Sequence, residues 1–214
     1  MELLRRSAGR TPATPDLDSA ADHDELTPPY GVAMSLEAWA DLPEDATGEL
    51  VAGRLMEAEM PGYAHEYLLA LVLGALRDWL VPRGGFCAGS GVRFAVAPNT
   101  GRMPDASAFL PGRRPPAQGL VRTPPDVAVE ILSPRPRDVR RDRIAKMNEY
   151  AAFGVRWFWL IDPEARVVEI FELGDDGRYI RALAAAGAIE QVPGCPGLRL
   201  GFDAWWAELD RLAE

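Results

Sequence analysis

The most constraining stretch of this chain is Val127-Ala128-Val129-Glu130-Ile131-Leu132. Five apolar residues, three of them β-branched, surround one acid, and no turn former interrupts them; the run reads as a strand. Strand alternation sends Val127, Val129 and Ile131 to one face and Ala128, Glu130 and Leu132 to the other. A carboxylate within such a run is costly to bury without a partner. A divalent cation shared with Asp105, which follows Pro104 at the start of the preceding strand, would relieve that cost. So would an arginine of the turn that follows, Arg135 or Arg137.

The remaining chain reads as strands and helices around this pair of acids. Ser35 is placed to cap a short helix through Trp39. Residues 48–57 form a small hairpin turning near Gly53, with Glu49 at its start. Leu68, Leu71, Val72, Ala75, Leu76, Trp79 and Leu80 fall on one stripe of a helix over about 64–80, which His65 opens and Pro82 with Gly84-Gly85 closes. Phe86 to Val96 reads as a strand pair or one bent strand, broken at Gly89 and Gly91. A strand then runs from Asp105 through Leu110, followed by a Pro/Gly/Arg loop to Pro125. Ser133-Pro134-Arg135-Pro136 cannot be helical. A helix over about 139–153 ends at Gly154. The apolar run 156–163 reads as a central strand. A hairpin over 166–183, a short strand near 198–200 and a C-terminal helix complete the order, which predicts an α/β or α+β domain with a mixed sheet over residues 31–214. Residues 1–30, rich in Pro, Asp, Ala and Thr without periodicity, are expected to be a disordered tail.

Composition limits the chemistry. With 214 residues the chain can bury one sizeable core. No apolar run is long enough to span a bilayer and no signal peptide is evident, so a cytoplasmic protein is expected. Two cysteines and two histidines exclude most zinc patterns, leaving carboxylates, and with them magnesium or manganese, for any metal. A net charge of −9 argues against nucleic-acid binding by bulk charge. The distribution differs: from Gly101 to Lys146 there are ten basic residues against five acids. Such a basic segment beside a carboxylate pair suits a polyanion, although arginine runs are often only solvated loops. Lys146 is the one lysine in a chain with 22 arginines, on a helix face shared with Val139, Tyr150 and Phe153.

Glu49-Leu50-Val51, His65, Pro104-Asp105, Val129-Glu130-Ile131-Leu132-Ser133-Pro134, Lys146 with Tyr150, Gly154-Val155 and Trp159-Leu160-Ile161-Asp162-Pro163 occur together and in this order. In this the chain resembles the Uma-type putative restriction endonuclease family, part of the PD-(D/E)XK nuclease superfamily. The resemblance implies a restriction-endonuclease-like core, a mixed sheet flanked by helices, with a divalent-metal nuclease site. It implies that Lys146 replaces the lysine that the superfamily pattern places two residues after the acid, where Leu132 stands.

The expected site follows. Asp105, Glu130 and the Ile131 carbonyl hold Mg²⁺ or Mn²⁺, and the metal polarises the phosphoryl oxygen. Lys146 orients the attacking water and offsets charge on phosphate. Glu49 ligates a second metal or orients water, or is a solvated hairpin acid. His65 contacts phosphate or moves a proton, or is a packing residue. Arg135, Arg137, Arg140, Arg141 and Arg143 hold the DNA backbone. The expected activity is metal-dependent hydrolysis of DNA, in a dimer if both strands are cut. A non-catalytic DNA-binding protein on the same fold, and a phosphoesterase acting on nucleotides, are the alternatives.

Overall fold

The computed structural model describes residues 30–43, 46, 48–57, 61–133 and 141–213. The tail expected over 1–30 lies outside these residues except for Tyr30, as do Arg135, Arg137, Val139 and Arg140 of the arginine-rich turn.

Two sheets organise the chain. The larger has the order β10-β9-β8-β7-β6-β3, built from β3 (Phe86–Ala88), β6 (Ala106–Phe109), β7 (Val127–Ile131), β8 (Trp157–Asp162), β9 (Val167–Leu173) and β10 (Tyr179–Ala185). Only β7 and β8 run parallel, joined by the crossover that carries Lys146; the other pairs are antiparallel. The smaller sheet has the order β2-β1-β5-β4, from β1 (Glu49–Val51), β2 (Arg54–Met56), β4 (Phe94–Ala97) and β5 (Thr100–Arg102). The mixed α/β architecture expected from the sequence is the one formed.

Both faces of the larger sheet are covered, which is why β7 is apolar on both sides. Val127, Val129 and Ile131 pack with Trp159, Ile161, Val168 and Ile170 under α2 (Tyr63–Leu80) and the C-terminal α4 (Phe202–Ala213). Ala128 and Leu132 share the opposite core with Phe158, Leu160, Phe94 and Tyr150 of α3 (Met147–Phe153). A third cluster joins Leu36 and Trp39 of α1 (Leu36–Ala40) to Leu50 and Leu55 of the small sheet. Ser35 caps α1, its Oγ accepting from the Ala38 amide at 3.1 Å. Gly154, at φ 94°, ends α3 in the left-handed conformation that favours glycine.

Four local readings change. Phe86–Val96 is two strands, broken across Gly89 and Gly91, but they do not pair with each other: β3 lies at the edge of the large sheet and β4 at the edge of the small one. The Thr100–Arg102 strand was not expected, since Thr-Gly-Arg has no apolar period and two Asn/Gly turn formers stand close by. Residues 198–200 form no strand; Leu200 pairs with Ile189 as an isolated bridge, and Leu198 and Leu200 are core residues beneath α2 and α4. The helix expected over 139–153 begins, among the described residues, with a π-helical turn, Arg141–Lys146. Such turns recur at functional sites, where they re-aim a side chain.

Candidate active site

The acids come together through strand register. β6 and β7 pair with Ala106 opposite Val129, so Asp105 and Glu130 are the next cross-strand positions. Both line one cavity, together with Glu49, His65, Ile131 and Lys146. Five different segments thus deliver the side chains: β1, the start of α2, the lead into β6, β7 and the end of the π-helical turn.

Asp105 accepts from the Ile131 amide through Oδ2 at 2.6 Å, which ties it to β7. The same oxygen lies 3.4 Å from His65 Nε2. Oδ1 takes no hydrogen bond among the described residues. Burial disfavours the imidazolium of His65, but the Asp105 carboxylate, then Glu66 and the Ile131 carbonyl, outweigh it, and the His65 pKa is raised above its ordinary value. His65 Nδ1 is buried without a hydrogen bond, 3.5 Å from Glu66 Oε1.

Glu130 is 2 % exposed and Lys146 4 %. Glu130 Oε2 accepts from Lys146 Nζ at 2.7 Å, and Oε1 accepts from the Tyr150 hydroxyl at 2.7 Å. The Lys146 ammonium thus offsets the buried carboxylate; Arg135 and Arg137, the partners considered from the sequence, lie outside the described residues. Helical spacing of four places Lys146 and Tyr150 on one face, one turn apart. Burial, then the negative charges of Glu130 and Glu49, push the Tyr150 pKa well above its ordinary value, so it stays a hydrogen-bond donor.

Glu49 does not sit at a solvated hairpin edge. It is buried, accepting from Arg102 Nη1 at 2.7 Å and from the Met103 amide at 3.1 Å, with Lys146 Nζ 3.5 Å away. Arg102, 1 % exposed, also grips Glu149 through Nε at 2.6 Å and Nη2 at 3.0 Å. This planar, two-sided grip is one a lysine could not make. It fastens the small sheet to the helix that carries Lys146 and Tyr150, and the two glutamates raise the arginine pKa further despite its burial. Arg102 and Glu149 were not singled out in the sequence. Arg102 stood in a run with no strand pattern, and nothing local marks it as buried; Tyr150 was legible from its spacing to Lys146.

The donor set suits a hard divalent cation. Asp105 and Glu130 contribute carboxylates, the Ile131 carbonyl faces the same region, and the open Asp105 Oδ1 has no competing donor among the described residues. No three His, Cys, Asp or Glu side chains converge into a cage among the described residues. An ion held by these two carboxylates and one carbonyl would keep part of its water shell, as magnesium does. Of the arginines expected to hold DNA, Arg141 begins the π-helical turn. Arg143 is bonded to Glu169 at 2.5 Å and Asp162 at 3.3 Å. Burial of Glu169 opposes its ionisation, but Arg143 and Arg181 hold its pKa below the ordinary value. Arg135, Arg137 and Arg140 lie outside the described residues.

A mixed sheet whose adjacent strand ends carry two acids, with a lysine delivered by the next helix, defines a restriction-endonuclease-like protein. The chain matches the Uma2 family model, described as "Putative restriction endonuclease", over residues 35–205, and it belongs to that family. A solved structure from Anabaena variabilis, described as a putative nuclease belonging to DUF820, has a similar fold, with a TM-score of 0.64 and 21% sequence identity. The match covers 82% of this chain and 99% of that one. A comparison with curated proteins gives no match. No helix among the described residues is long and apolar enough to cross a membrane.

Proposed function

We propose that this protein is a magnesium- or manganese-dependent endonuclease that hydrolyses phosphodiester bonds in DNA. The observation that carries the reading is the cross-strand pair Asp105–Glu130 opening on one cavity, with the Lys146 ammonium 2.7 Å from Glu130. Asp105, Glu130 and the Ile131 carbonyl would hold the cation. When bound, the metal polarises a phosphoryl oxygen and makes water a better nucleophile near neutral pH. The chain's own residues do the rest. Lys146 presents a compact charge where negative charge builds on phosphate, in a site whose burial strengthens the interaction. Tyr150 and Glu49 hold Glu130 and Lys146 from the far side, so neither needs to reorganise during the reaction. His65, kept basic by Asp105, is placed to exchange a proton with a group bound beside that acid. Cleavage of both strands requires two such sites, for which a symmetric dimer is the simplest assembly.

The test is plasmid nicking by the full chain under single-turnover conditions, with magnesium, manganese or chelator. Nicking should require the metal and disappear in Asp105→Asn and in Glu130→Gln. Lys146→Arg should keep the fold and lose about a hundredfold or more in rate. Binding of DNA with no metal-stimulated cleavage would favour a non-catalytic role for the fold instead.

A further inference from the structure

The cavity that opens on Asp105 and Glu130 extends well past them, to about 1410 Å³. That exceeds the roughly 300–1,000 Å³ of ordinary small-molecule sites. Beyond the carboxylates its walls come from β3, β4, β6 and residues 115–121. The one charged side chain among the described residues there is Arg93, and its guanidinium donates to the carbonyls of Ala40 at 2.9 Å, Leu42 at 2.8 Å and Pro43 at 3.1 Å. The terminal N–H donors of Arg93 are thus committed to backbone carbonyls rather than left for a ligand.

Ser107 stands on its floor, two residues beyond Asp105 on the same face of β6 and about 7 Å along the strand. Its cross-strand neighbours are Ala88 and Ala128, which leave space above it. Ser107 is 3 % exposed, and its hydroxyl makes no hydrogen bond among the described residues. The hydroxyl is open to the cavity, where a ligand group could replace water as its partner. The next cross-strand pair on this face is Phe86 and Phe109, both lining the cavity. Phe86 is 40 % exposed, with the Arg114 guanidinium 5.7 Å above its ring.

We infer that this recess is a nucleobase subsite, and that the substrate presents an unpaired nucleotide: a single strand, a flap or a frayed end. A second phosphate would find one guanidinium already bonded to backbone carbonyls and another lying over an aromatic ring. A flat, neutral group with hydrogen-bonding edges would find an aromatic ring to stack on and a hydroxyl to bond. A base can reach such a recess only after leaving its duplex partner, and an already unpaired base does so at the least cost. The assignment of a phosphate to the Asp105 end rests on the nuclease reading above; the affinity of the recess for a base does not.

The test measures binding in chelator, so that nothing is cut. The full chain is titrated with 2-aminopurine oligonucleotides that are single-stranded, blunt duplex, or duplex with an unpaired end. Single-stranded and frayed probes should bind at least ~10-fold more tightly than blunt duplex, with a change in 2-aminopurine emission. Phe86→Ala, at the exposed rim, should weaken single-strand binding by about five- to a hundredfold. Ser107→Ala should weaken it by about three- to tenfold. Neither should alter duplex binding, and circular dichroism and melting should show both variants folded. Equal binding of all three probes, or loss that is the same for duplex and single strand, overturns the subsite. Selective binding without cleavage on adding magnesium leaves the subsite standing and removes the nuclease reading. Cleavage that prefers intact duplex and ignores both substitutions does the reverse.

Discussion

At the scale of single residues, the site is an arrangement of buried charges that satisfy one another. Glu130 is held by one ammonium and one phenol, each at 2.7 Å. Tyr150→Phe removes a donor to a buried carboxylate and should cost about 1.5–3 kcal/mol of stability, read as a lower urea midpoint at unchanged slope. His65 offers a pH test. Its pKa is raised in the fold, so the stability it contributes is fully present below the ordinary histidine value and is lost as pH rises through the higher folded value. His65→Ala should therefore lower the melting temperature more at pH 5.5 than at pH 8.5. An equal loss at both would mean that the ring acts by packing alone. Cys195 illustrates the converse: burial, with Asp126 second, pushes its thiol up to about 12, and it behaves as a core residue.

At the scale of elements, strands and helices with clear periods were legible, and several of the candidate residues they carry line one cavity. The alternation of β7 named the face of Glu130, and the spacing from Lys146 to Tyr150 named the helix face that meets it. Elements defined by distant partners were not legible. β5 is a strand because Trp39, Leu50 and Phe94 surround it, not because Thr-Gly-Arg favours extension. Gly101 shows the constraint: a Cβ there would meet the Trp39 ring at 2.2 Å. Gly101→Ala should cost about 1–3 kcal/mol or more, since a buried indole cannot withdraw cheaply. Because Arg102 follows, the same change should blunt metal-stimulated nicking beyond its effect on the folded fraction. The β1–β2 turn gives the opposite case. Ala52 and Gly53 both have positive φ, at 49° and 76°, the type I′ geometry in which Asn-Gly is preferred. Ala52→Asn should stabilise the protein by about 0.5–1 kcal/mol, measurable as a higher urea midpoint.

At the scale of the whole molecule, the two sheets meet at the site and are fastened there by Arg102, Glu49, Glu149 and Lys146. The large sheet supplies Asp105 and Glu130, the small one Glu49, and the crossover helix closes the group. This division has a consequence for synthesis. The chain emerges from its N-terminus, so Glu49 and His65 are made first, then Arg102 and Asp105, then Glu130, and Lys146 last. Glu49 meets Arg102 across 53 residues of sequence, and Lys146 reaches Glu130 only after the crossover has turned back on the sheet. A growing chain therefore holds acids without their ammonium until about two thirds of its length has been made. A protein that cuts nucleic acid would then lack its complete site, beside the messenger and ribosome that are producing it, until that point in its synthesis.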